Sequence, residues 1–468
     1  MDNNRKALKS GIWYTISSFL MKSIGFLTTP IFTRLLTKSD FGLYNNFTSW
    51  LSIITIFVTL NLEASLISAR FDFEEEFDSY IFSVLGLGAL SSGLWFLILQ
   101  LFMEPISVYT HVEPTYLNIM MVYLFFSPAV QLFVARERYL FRYKASVLIS
   151  IVITITTALF SVALVIGLNN KLFGRIIGSV IPTVIMGLFL FVFFINKGKK
   201  IQIKHWRYAI PICLPYIPHL LAGSLLNSMD RVMIERFCGS EDTAVYSLAY
   251  TCGTLVTLFI VALNSAFAPW LGEKLHEHKY EDIRKVSLPY IGIFMVFAFG
   301  IMLIAPDVLF LLGGEAYLEA KYVITPVAMG CVCQFLYTLY VNIEQIKKKT
   351  VGMAIATVIA ALINLVLNYI FIPKIGYLAA AYTTLIGFLS LLIMHIILVK
   401  HLGLGNVYNF KIVLAAIIFG IVGMVIVTFS YNYLIIRTFL ICIYCLLVLI
   451  LVYKYRKDIK EFVRKKKV

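Results

Sequence analysis

Apolar residues run along this chain in blocks of about twenty, separated by short polar breaks. A helix needs roughly 20 apolar residues to cross a bilayer core, so each block predicts a transmembrane helix. Fourteen blocks can be drawn, at about 11–32, 43–66, 79–103, 115–135, 145–168, 172–195, 209–234, 243–269, 286–312, 322–343, 350–372, 377–399, 410–430 and 433–453. Composition agrees. The 468 residues are 60% hydrophobic and 14% charged, with a mean hydropathy of +0.87, whereas soluble domains are about 25% charged. No soluble core hides that much apolar surface, so the bilayer is the solvent. The expectation is an all-α integral membrane protein with about 14 transmembrane helices.

Charge then orients the helices. The net charge of +15 resembles a nucleic-acid signal until the basic residues are sorted by loop. One face receives Arg5, Lys6, Lys9, Arg70, Arg136 to Lys144, Lys197 to Arg207, Lys274 to Lys285, Lys347 to Lys349, Lys400, Lys411 and the tail from Lys454, which is 30 of the 40. Translocating positive charge is costly, so this face is cytoplasmic and both termini lie there. The expected neighbours are membrane lipids, with no nucleic acid. The first block is too long for a signal peptide, carries Lys22 and lacks a small-residue cleavage pattern, so it reads as a retained helix. The seven cysteines fall mostly inside apolar blocks, and Cys442-x-x-Cys445 reads as packing rather than a metal or redox motif.

The pattern also repeats. Arg34-Leu35-Leu36-Thr37-Lys38-Ser39-Asp40-Phe41-Gly42-Leu43-Tyr44 is echoed 202 positions later by Arg236-Phe237-Cys238-Gly239-Ser240-Glu241-Asp242-Thr243-Ala244-Val245-Tyr246. The connector Leu168 to Arg175 matches the connector Ile372 to Ala380 at an offset of 205. Repeats in the same order and orientation predict a transporter built from two related halves. The expected domains are a first six-helix bundle (1–200), its repeat (201–405), two additional helices (406–454) and a basic cytoplasmic tail (455–468).

Against that scaffold, intramembrane charges stand out. Lys22 sits mid-block among Phe19-Leu20-Met21 and Ile24-Gly25-Phe26-Leu27, with Ser18 and Gly25 on its helical face. A central charge there costs at least roughly 2.5–3.5 kcal/mol on insertion scales and is tolerated facing a cavity or counter-charge. Lys22 is therefore the first substrate-binding candidate, suited to an anionic group. The seventh block holds Pro211, Pro215 and Pro218, which break helical hydrogen bonding. It ends in Asp230 and Arg231, also placed at the cavity mouth. Under the offset Lys22 aligns with Ser224 and Thr28-Thr29 with Asp230-Arg231, so the halves share a scaffold but not a charge pattern. Arg34, Glu63, Glu235, Arg236 and Asp307 are gate or coupling candidates. Gln131, Asn264, Gln334, Asn364 and Asn368 are polar groups that bond neighbouring helices or touch sugar hydroxyls. His276-Glu277-His278 and the acidic run Asp72 to Asp78 read as solvated loops. Gly174-x-x-x-Gly178 has helix-packing spacing. No Walker-type nucleotide motif, catalytic group, metal site or cofactor is predicted.

Three longer motifs resemble a known family. Thr29-Pro30-Ile31-Phe32-Thr33-Arg34-Leu35-Leu36 followed by Asp40-Phe41-Gly42-Leu43-Tyr44 is similar to the start of polysaccharide-transporter flippases of the Wzx type. These belong to the multidrug/oligosaccharidyl-lipid/polysaccharide superfamily. Asn227-Ser228-Met229-Asp230-Arg231 before Tyr246-Ser247-Leu248-Ala249-Tyr250 resembles the start of that family's second half. Asn364 to Pro373 followed by Gly376 and Ala379-Ala380-Ala381 resembles its eleventh-to-twelfth-helix signature. Thr243-Ala244-Val245 departs where the family often has glycine before the aromatic. The resemblance implies two bundles in a V shape and alternating access. It implies a bacterial cytoplasmic membrane location, an undecaprenyl-pyrophosphate-linked oligosaccharide substrate, and polymerase or assembly proteins as partners. It leaves coupling to Na+ or H+ open.

Two other classes compete. A drug exporter of the same superfamily would favour a central carboxylate and 12 spans. A membrane-embedded polymerase or glycosyltransferase would need a large outer loop with charged catalytic groups, and the outer loops here are short.

Overall fold

The computed structural model describes residues 2–454 and 456, and every regular element among them is a helix. In chain order these are α1 (Asp2–Leu35), α2 (Lys38–Thr59), α3 (Leu66–Asp72), α4 (Phe77–Leu101), α5 (Met103–Thr110), α6 (Pro114–Tyr139), α7 (Tyr143–Gly167), α8 (Lys171–Gly198) and α9 (Ile203–Cys213). There follow α10 (Ile217–Cys238), α11 (Ser240–Thr254), α12 (Thr257–His276), α13 (Tyr280–Gly313), α14 (Lys321–Ile346), α15 (Thr350–Ile375), α16 (Tyr377–His401), α17 (Phe410–Ser430) and α18 (Leu434–Lys454). Eleven helical spans are long and apolar enough to cross a membrane, or twelve when the bent α2–α3 pair counts as one. α1 and α18 occupy the places of the first and fourteenth expected spans. Over the described residues they do not meet the same length and hydropathy standard.

Local sequence explains where the spans start and break. The Thr37 hydroxyl caps α2 by accepting from the Asp40 amide at 3.0 Å, and the Asn170 side chain caps α8 by accepting from Phe173 at 2.9 Å. The second span is not continuous as expected. Leu60 and Asn61 both take positive φ, and the chain turns by 49° into α3. The seventh span breaks at a short 3-10 turn, Leu214–Tyr216, where Pro215 and then Pro218 withhold backbone donors. The repeat is visible in these breaks. Phe141 has φ 56° and Lys348, 207 residues later, has φ 57°. Each precedes an amide that donates to the carbonyl of a buried glutamate, Arg142 to Glu137 at 2.8 Å and Lys349 to Glu344 at 2.9 Å.

By packing, the chain forms two compact units, one of residues up to Leu248 with Thr350–Gly387, the other of Ala249–Lys349 with the chain from Phe388 onward. This is a division by contact density, whereas the expected boundaries at 200 and 405 divide by repeat. The expected tail at 455–468, Arg456 aside, lies outside the described residues.

In the first unit, α7 and α8 meet along a seam of small residues. A methyl group on Gly174 would lie 2.6 Å from the Leu164 carbonyl oxygen, and one on Gly178 would lie 2.4 Å from the Ser161 Cα. The Gly174-x-x-x-Gly178 spacing thus brings two backbones together, the usual use of small residues in membrane helices. The two copies of the repeated turn also touch in this unit. The Ser39 and Ser240 hydroxyls share a hydrogen bond of 2.8 Å, and a methyl on Gly42 would lie 1.8 Å from the Ser240 carbonyl oxygen. In the second unit α13 packs on α14 and α17, with Phe294 and Phe335 stacked at 4.0 Å. Exposed Phe419, Leu434, Ile435 and Phe439 on α17 and α18 face the apolar solvent that a bilayer supplies.

The acidic residues Asp72, Glu74, Glu75 and Glu76 of the α3–α4 connection are exposed, as expected of a solvated loop, and three carboxylates of the run also find partners. Asp72 accepts from the Tyr208 hydroxyl, Glu76 from Lys204 at 2.7 Å, and Asp78 from Arg136 at 2.7 Å. The Lys204 hydrogen bond holds the Glu76 carboxyl below its ordinary range.

Candidate functional site

The α7–α8 seam positions one wall of a cavity inside the first unit. Its volume is about 330 Å³. α1 contributes Gly25, Thr28 and Phe32, α2 contributes Tyr44 and Thr48, and α6 contributes Tyr123. α7 adds Thr154 and Thr157, and α8 adds Arg175, Ser179 and Thr183. Several of the hydroxyls donate to carbonyls of their own helices: Thr28 to Gly25 at 3.0 Å, Thr154 to Ser150 at 2.8 Å, and Ser179 to Ile176 at 2.7 Å. Their protons are thereby committed, and their oxygens remain as acceptors. Arg175 is the one charged side chain among the described lining residues. Lys22 lies on α1 just before the wall residues Ile24 and Gly25, is exposed, and is not part of the wall.

A second polar centre in the same unit gathers around Asp230. Its carboxylate is buried on α10 and accepts from the Tyr246 hydroxyl at 2.7 Å, the Asn368 amide at 2.7 Å and the Thr384 hydroxyl at 2.6 Å. Asn368 in turn donates to Asn364 at 3.2 Å and accepts from the Thr383 hydroxyl. These three donors to Asp230 are neutral, and the adjacent Arg231 guanidinium acts on it through space while donating to the Asn227 carbonyl at 3.1 Å. Asp230 belongs to a buried network rather than to a solvated helix end.

The other candidates disperse. Glu235 is buried one turn beyond Arg231, with Oε2 lacking a hydrogen-bond partner. Arg236 is exposed and lies 5.1 Å from the Tyr109 ring centre, and Arg34 is exposed on the last turn of α1. Glu63 is half-buried within electrostatic range of Arg138. In the second unit Asp307 pairs with Arg437, and Asn264 accepts from Asn342 at 2.7 Å. Gln334 lies near Tyr337, its backbone carbonyl accepts from the Thr338 hydroxyl at 2.8 Å, and Gln131 is half-buried on α6 of the first unit. The structure thus brings the candidates Asp230, Asn364 and Asn368 to one place, and adds Arg175, Tyr246, Thr383 and Thr384, which the sequence did not single out as site residues. It also adds a buried pair in the second unit, His395 Nδ1 to Glu344 at 2.8 Å.

Known proteins share this architecture. A family model described as polysaccharide biosynthesis protein matches residues 7–275, and a MatE model matches residues 215–370. Lsg locus putative protein 1 of Haemophilus influenzae is 26% identical over 151 residues, 31% of this chain and 38% of that protein. Probable low-salt glycan biosynthesis flippase Agl15 of Haloferax volcanii is 24% identical over 179 residues, 37% of this chain and 38% of that protein. The chain thus spans under two-fifths of the length of each of these two relatives. The solved structure of lipid II flippase MurJ in an inward closed conformation superimposes with a TM-score of 0.70 at 15% identity, covering 96% of this chain and all of that one. The first family model covers more than half of the chain, the second matches within the repeat, and the fold is that of the flippase structure. This multi-pass membrane protein therefore belongs to the polysaccharide biosynthesis protein family, within the multidrug/oligosaccharidyl-lipid/polysaccharide flippase superfamily.

Proposed function

We propose that this protein is a flippase. It moves undecaprenyl-pyrophosphate-linked oligosaccharide units across the bacterial cytoplasmic membrane by alternating access, for surface polysaccharide synthesis, with both termini cytoplasmic. The carrying observation is the cavity among membrane-spanning helices, whose wall combines hydroxyl oxygens with an arginine. Hydroxyl acceptors suit a polyhydroxylated sugar, and an arginine suits an anionic linker. A cationic drug would call for a carboxylate in that wall. Family membership and the similarity to a probable glycan biosynthesis flippase of Haloferax volcanii support the same reading. Its task is transport rather than bond-making. Lys22 remains a substrate-binding residue on this reading, and polymerase or assembly proteins are its proposed partners.

The Asp230 network favours ion coupling. A buried carboxylate in a membrane helix, held by neutral donors and surrounded by the oxygens of Asn364, Asn368, Thr383 and Thr384, suits a proton or Na+.

Complementation tests the function. Expression in a strain lacking its own flippase, with the matching glycosyltransferases present, is expected to restore surface polysaccharide and clear the accumulated lipid-linked sugar. Undiminished accumulation, with the protein present in the membrane, overturns the reading.

A further inference from the structure

We propose that Arg175 is the clamp that holds the pyrophosphate of the lipid-linked substrate inside the first-unit cavity. The inference rests on the flippase reading and assigns the residue that recognises the linker.

Arg175 lies one turn inside α8, a membrane-spanning helix. An intramembrane charge normally pairs with a counter-charge or faces a watered cavity. Arg175 has no carboxylate within ion-pair distance among the described residues, and its buried Nε has no hydrogen-bond partner. Its contacts are aromatic. The guanidinium carbon lies 3.7 Å from the Phe32 ring centre and 4.2 Å from that of Tyr44. Rings attract the cation through its π-facing surface but leave its in-plane N–H donors unused. A guanidinium held against two rings, with no carboxylate and no hydrogen-bond acceptor among the described residues, retains donors for an oxyanion that enters the cavity. Ser179 and Thr183 follow at i+4 and i+8, so α8 presents the cation and two hydroxyls as one stripe along the cavity wall.

The repeat separates this arginine from the scaffold. The register that sets Gly174 against Ala379 sets Arg175 against Ala380, which is fully buried. The second half builds its equivalent helix around an alanine, so the fold does not require a cation here. The shared chemistry is a phosphate oxyanion, available from the substrate's pyrophosphate or from an anionic phospholipid headgroup. The cavity's sugar-compatible hydroxyls favour the substrate.

The test uses the full-length protein in nanodiscs of zwitterionic lipid, with undecaprenyl pyrophosphate as probe and undecaprenol as its phosphate-free control. Arg175→Gln is expected to weaken undecaprenyl pyrophosphate binding roughly 10- to 100-fold, the range for losing charge-assisted hydrogen bonds, and to leave undecaprenol binding unchanged. Arg175→Lys, which keeps the charge but loses the planar fork, is expected to fall between. It carries the test if the glutamine variant fails to fold. Binding of undecaprenyl pyrophosphate by a folded variant at the wild-type level overturns the clamp. Competition by phosphatidylglycerol equal to that of unlabelled undecaprenyl pyrophosphate overturns the assignment to the substrate. The two readings fail separately. A wild-type protein that does not complement removes the flippase, whereas a complementing wild type with an equally active, equally binding Arg175→Gln removes only the clamp.

Discussion

Substituting Gly178 by alanine tests the seam that places the cavity. The new Cβ would lie 2.4 Å from the Ser161 Cα and 2.7 Å from its nitrogen. Carbon atoms rest at about 3.5–4.0 Å, so α7 and α8 must part by about 1 Å or more. The obstacle is backbone, which cannot swing aside as a side chain would. Overpacking of this kind costs about 1–3 kcal/mol. Alanine also gains up to about 1 kcal/mol of helix propensity over glycine, which offsets part of the cost. A control removes that gain from the comparison. Gly292 on α13 has nothing within 4 Å of a built Cβ, so Gly292→Ala gains propensity without overlap. Thermal melts of both purified variants in one detergent are expected to place Gly178→Ala about 1–3 kcal/mol below Gly292→Ala. Because Thr154 and Thr157 line the cavity from α7 and Ser179 from α8, Gly178→Ala should also weaken undecaprenyl pyrophosphate binding. Equal stability of the two variants would show that the seam is not closely packed and refute the reasoning.

Asp230→Asn keeps the side-chain volume but turns one acceptor into a donor facing Tyr246, Asn368 or Thr384, and should cost about 1.5–3 kcal/mol. The wild-type melting temperature should rise with a coupling cation while that of the variant stays flat; identical cation responses would remove Asp230 from coupling. Ser39→Cys combined with Ser240→Cys, at hydroxyls 2.8 Å apart, should form a disulfide on oxidation that stops transport until reduced. Uninterrupted transport by the crosslinked protein would show that these turns need not separate. Lys22→Ala should abolish flipping in an inserted protein and Lys22→Arg should retain part of it, scored by surface polysaccharide. A normal polysaccharide coat from Lys22→Ala cells would end its substrate role.

The helices are legible because the bilayer imposes a length on every apolar block, and a break in the seventh span is legible at Pro215 and Pro218. The bend at Leu60 and Asn61 is not, since leucine at positive φ leaves no compositional trace and one asparagine, though it tolerates that region, does not by itself mark a bend inside an apolar block. In the sequence Arg175 stands as the last residue of a connector because it follows Asn169, Asn170 and Lys171. The signal that could have placed it was the Asn170 cap, which starts α8 before the arginine. Asp230 was read as a helix end for a related reason. Its partners Tyr246, Asn368 and Thr384 stand 16, 138 and 154 residues away, and only folding brings them together. The two asparagines were noticed as polar interruptions, but one sequence does not say that polar interruptions on different helices meet.

The α7–α8 seam has a consequence for how such a protein changes its diet. Gly174 and Gly178 bracket Arg175, so the arginine is fixed between two backbone contacts that tolerate no added atom. Thr28, Thr48 and Thr157 are only partly buried and carry no such backbone contact, and exchanges among small side chains away from packed features usually cost under about 0.5 kcal/mol. On the proposed function, lineages can therefore retune the cavity for new sugars by swapping wall residues while keeping the proposed clamp on the linker unchanged. Divergence among relatives should then concentrate on the threonines and spare the arginine and its two glycines.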